Sequence, residues 1–142
     1  MSGEPLLDQD HVSRYCAFTT LLPDGRPSGA SFMLKDREDD KFLSVNWLEY
    51  FNLPDQKAQI VQVRRVIRMK LGTTAKFAIL NVGDTIEYVH SNSSDKRTLA
   101  FLHEPTEEDP SHSGIHGYGY EDDLIAQLIA EVVRETYPAK EP

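Results

Sequence analysis

A chain of 142 residues fits one domain, large enough to bury roughly two thirds of its unfolded surface without a metal or disulfide staple. Apolar residues make up 39% and charged residues 27%, and the formal charge is −8, so duplex DNA is repelled unless a local basic face dominates. A single cysteine, Cys16, excludes an internal disulfide and a multi-cysteine zinc site, and no apolar run approaches the length of a membrane span, which together read as cytoplasmic.

In chain order, the polar residues 1–10 read as a flexible arm, 11–138 as one domain and 139–142 as a tail. "VSRYCAF" (12–18) alternates like a strand, and "LPDGRP" (22–27) is turn chemistry built on Pro23 and Gly25. "ASFML" (30–34) predicts a second strand, "KDREDDK" (35–41) an exposed connection, and "FLSV" (42–45) a third strand. Asp55 caps a helix over 56–71, in which Ile60, Val63, Ile67 and Leu71 form one apolar stripe before Gly72. "KFAILNV" (76–82) and "TIEYVH" (85–90) read as strands about a turn at Gly83-Asp84, and "RTLAFLH" (97–103) as another. A loop occupies 104–120. A final helix over 121–136 carries Leu124, Ile125, Leu128, Ile129, Val132 and Val133 at helical period, with Leu128 and Val132 expected in the core. About six short strands and two helices, grouped rather than alternating, predict an α+β domain with a mostly antiparallel sheet.

The loop contains "DPSHSGIHGYGY", with His112 and His116 four residues apart. On a helix that spacing, with Asp109, would suit a metal, but Gly114, Gly117 and Gly119 argue against a helix, so no metal and no cofactor are expected. Ile115 gives the loop an apolar anchor, with His112 turned toward Arg14 and Ser31. Cys16, inside a strand, reads as a core residue rather than a nucleophile. Lys57, Arg64, Arg65, Arg68 and Lys70 make the 56–71 helix basic. RNA or phosphate is one partner for it, with Tyr50 and Phe51 stacking bases. A solvated face paired with the acidic 36–40 stretch is the plainer account. Trp47, Tyr50, Arg64 and Arg68 are the candidate partner surface.

Arg14 in the first strand, "SF" (Ser31-Phe32), "LSV" (43–45) and "DPSHSGI" (109–115) are together similar to a loose group of small uncharacterised bacterial proteins. The resemblance spans scattered motifs over about residues 12–115 and implies no activity. It implies that Arg14, Ser31, Ser44 and His112 are the polar residues to test for convergence. An arginine on one strand and a serine on the next also resembles transferases that grip a dinucleotide, for which Glu87 is the one catalytic candidate, without the family's paired acid.

Two readings follow. The first is a non-enzymatic interaction protein that acts on a protein partner. The second is a small enzyme or a nucleotide- or ligand-binding domain with a site built from Arg14, Ser31 and His112.

Overall fold

In β2 (His11–Cys16), Val12 and Cys16 pack on one side and Tyr15 on the other, the two-residue period of a strand buried on both faces. That division runs through the whole computed structural model, which describes residues 3–35, 41–67 and 70–140. The other strands are β1 (Glu4–Pro5), β3 (Leu43–Trp47), β4 (Lys76–Asn81), β5 (Ala100–His103), β6 (His112–His116) and β7 (Glu135–Pro138). They form one antiparallel sheet in the order β1-β5-β6-β3-β2-β4-β7. The described α-helices are α1 (Gln56–Val66), α2 (Val82–Asn92) and α3 (Asp123–Val132), and the fold is a single α+β domain. No helix among the described residues is long and apolar enough to cross a membrane.

The first face of the sheet presents Val12, Val45, Leu80, Phe101 and Ile115 to α2 and α3, which bring Val89, Ile125 and Ile129. On the second face, Phe77 and Ile79 of β4 meet Ile60 and Val63 of α1, with Leu48 and Ala139 closing the cluster.

Several elements differ from the sequence reading. Residues 85–90 belong to α2, not to a strand. Asn81 caps that helix by accepting from the Asp84 N–H at 2.8 Å, and Gly83 is required because a Cβ there would lie 2.9 Å from Cβ of Asp8. Residues 29–32 make a 3₁₀ turn that Ser28 caps, so "ASFML" is no strand. The expected loop 104–120 contains β6, whose pairing with β3 and β5 lies in the middle of the sheet. Of the expected arm, residues 4–10 are tied to the domain: β1 pairs with β5, and Leu6 and Asp10 are buried. The final helix stops at Val132, and 135–138 form the edge strand β7. Leu128 and Val132 are only partly buried, whereas Ile125 and Ile129 carry the contact. Helix α1 stops at Val66, where Ile67 is already extended, rather than running to 71.

Candidate functional site

The ladder between β2 and β3 has two registered pairs, Val12 with Trp47 and Ser13 with Asn46, before the strands part. Arg14 spans the opening. Its Nε donates to the Ser31 carbonyl at 3.0 Å and its Nη1 to the Ser44 carbonyl at 2.9 Å. A guanidinium fixed by two carbonyls is a preorganised charge.

On the second face, Ser13 and Tyr15 of β2, Ser44 and Asn46 of β3 and His112 of β6 line one cavity of about 340 Å³, to which Arg14 also contributes. Val66 and Ile67 at the end of α1 form its apolar wall, and Thr106, Glu108 and Asp109 the opposite one. Ser44 and His112 are diagonal neighbours across the ladder, because Ser44 registers with Gly114 and Asn46 with His112. The imidazole Nδ1 lies 2.8 Å from the Glu104 carbonyl and Nε2 lies 3.1 Å from the Ser44 hydroxyl. A carbonyl only accepts, so in the neutral ring Nδ1 carries the hydrogen and Nε2 accepts from Ser44.

The loop wall is tied down by Asp109, which is buried. Its carboxylate accepts from Asn46 Nδ2 at 2.6 Å and from the Ser111 hydroxyl at 2.7 Å, and has no cationic partner among the described residues. Ser13 is buried in the cavity wall, with no hydrogen-bond partner for its hydroxyl oxygen among the described residues.

Of the four residues singled out by resemblance, Arg14, Ser44 and His112 converge on this cavity. Ser31 contributes its carbonyl only; its hydroxyl lies within 2.8 Å of the Thr20 hydroxyl, away from the cavity. The reading missed Ser13, Tyr15 and Asn46, whose polar side chains share a sheet face only once the strand order is known.

His112 and His116 do share a face of β6, but Phe42 lies over Gly114 between them. Its ring centroid is 6.0 Å from His112 and 4.8 Å from His116. Asp109 is engaged with Asn46 and Ser111 instead of facing a histidine pair. No cluster of three or more metal-ligating side chains occurs among the described residues. Cys16 is buried, and burial raises its thiol above the ordinary value despite the Ser31 hydrogen bond and the Arg14 charge, which disfavours a thiolate. Glu87 is exposed on α2, away from the strand that the transferase comparison requires.

Of the candidate partner residues, Trp47, Tyr50 and Arg64 lie among the described ones. Arg64 donates to the carbonyls of Ala139 and Pro138, tying α1 to the end of β7. Trp47 packs against the first core, and its ring meets those of Tyr50 and His103. Tyr50 is 41% exposed. Arg68, and the acidic stretch 36–40 expected to pair with the helix, lie outside the described residues. No protein-family model, curated protein or solved structure matches the chain.

Proposed function

We propose that the chain is a small-ligand-binding domain of the cytoplasm, with its site in the cavity between α1 and the 104–111 loop. One observation carries the reading: Arg14, Ser44 and His112, on three strands distant in sequence, line the same cavity. The chemistry of the walls favours a small amphipathic molecule. Its apolar part lies against Val66 and Ile67, and its polar groups meet the sheet side chains.

A fragment screen followed by amide NMR tests this. Shifts should cluster at residues 13–15, 44–46 and 106–112, and Ser44→Trp should abolish them while leaving the thermal melt intact. Hits confined to another surface, or binding unaffected by Ser44→Trp, would overturn the assignment.

A second reading, attachment to a protein partner, draws support from exposed apolar side chains, Phe18 at 64% and Leu124 at 80%. A partner that co-purifies with the wild type and is lost on Phe18→Glu or Leu124→Glu would favour it.

A further inference from the structure

The contact between Ser44 and His112 has a chemical direction. Glu104 fixes the imidazole through Nδ1, and Nε2 faces the hydroxyl of an exposed serine. A base held by an acceptor on one nitrogen and addressed to a hydroxyl on the other is the arrangement that activates a serine nucleophile. A backbone carbonyl takes the place of the usual carboxylate as orienter. The serine is exposed and opens onto a cavity.

Resting on the assignment of this cavity as a ligand site, we propose that Ser44 and His112 form a catalytic dyad for acyl transfer from a small ester to water. Ser44 Oγ forms a bond to the acyl carbonyl carbon while its proton passes to His112 Nε2. The carbonyl oxygen takes up negative charge in the tetrahedral intermediate. The bond to the leaving alkoxide then breaks, and the alkoxide receives the proton from Nε2. Water attacks the acyl-serine, His112 takes its proton and returns it to Ser44, and the products are an acid and an alcohol. Glu108 and Asp109 on the opposite wall repel anionic substrates, so the substrate class is neutral or cationic esters. The apolar end at Val66 and Ile67 receives the short acyl chain.

The test is covalent labelling of the full chain with a fluorophosphonate, read by intact mass and peptide mapping, alongside hydrolysis of p-nitrophenyl acetate. One adduct should form, on Ser44, and Ser44→Ala should abolish both the adduct and the turnover. His112→Ala should slow labelling by about 10²–10⁴-fold, the usual contribution of a positioned base. His112→Gln serves as a second variant that keeps a hydrogen-bonding side chain but cannot act as the base, and should be slowed alike. No adduct on the wild type, an adduct on another serine, or labelling of Ser44 at an unchanged rate in both histidine variants would overturn the dyad. Fragment binding that persists while labelling fails would leave the ligand cavity standing and remove only the catalysis.

Discussion

The two faces of the sheet are finished differently. The first is covered by α2 and α3 over a continuous layer that includes Val12, Leu80, Phe101, Ile115 and Ile129. On the second, α1 covers only the β4 end, where Phe77 and Ile79 lie, and over β2, β3 and β6 the face carries polar side chains and the cavity. The same strands serve both. Val45 enters the core while Ser44 and Asn46, its neighbours, face the cavity. The larger core therefore lies on one face, and the part of the other face over β2, β3 and β6 is free to be polar.

The sharpest way to break this comparison is to empty the closed face. Ile129 is fully buried, and Ile129→Ala should cost about 2–5 kcal/mol in urea denaturation. Leu124→Ala on the same helix, at an 80% exposed position, should stay within about 0.5 kcal/mol. If the two costs were equal, α3 would not be the lid of the core.

The helical period of α3 was legible because apolar residues recur on one face; which of them sit deepest was not, since that depends on where α2 and the 29–32 turn press against it. "TIEYVH" reads as a strand by its β-branched and aromatic residues, yet the cap at Asn81 and the packing of Gly83 on Asp8 make it a helix. β6 was hidden inside a glycine-rich loop because its reasons are distant: it needs β3 and β5 on either side, and Gly114 is there to admit Phe42. The site suffers the same difficulty. His112 meets Ser44 across 68 residues of sequence, and the roles of Ser13 and Asn46 follow only from strand order.

On the open face the expected effects are smaller. A Cβ at position 114 would lie 2.3 Å from Cδ1 of Phe42, so Gly114→Ala should cost about 1–3 kcal/mol by displacing the ring. Phe42→Ala should relieve much of that cost, and a double-mutant cycle giving simple additivity would show that the ring is not what Gly114 accommodates. Asn46→Ala removes the donor shared by Asp109 and Ser111 and should cost about 1–3 kcal/mol. Its mark is local: amides 106–112 should exchange faster while those of α3 keep their protection. Uniform loss of protection would mean that the loop and the closed face unfold as one.

The smallest effect belongs to the rim of the closed face, where Arg97 Nη1 donates to Asp122 at 2.8 Å and Asp122 accepts from the Gly119 N–H. The arginine, followed by that backbone N–H, holds the Asp122 carboxyl below its ordinary value. A carboxyl whose value is lower in the folded state stabilises the fold above its unfolded value, about 3.9, and loses that contribution as pH falls through the folded one. The side chains are 28% and 30% exposed, so solvent screening limits the pair to about 0.2–1 kcal/mol. Asp122→Asn keeps the shape and an acceptor for Gly119 but removes the titration. The stability difference from wild type should therefore be present at neutral pH, shrink as pH falls below about 4, and weaken in high salt. The cost of Ile129→Ala, an apolar term, should change far less under the same titration. A difference at Asp122 that survived acid and salt unchanged would assign the rim to hydrogen-bond geometry rather than charge.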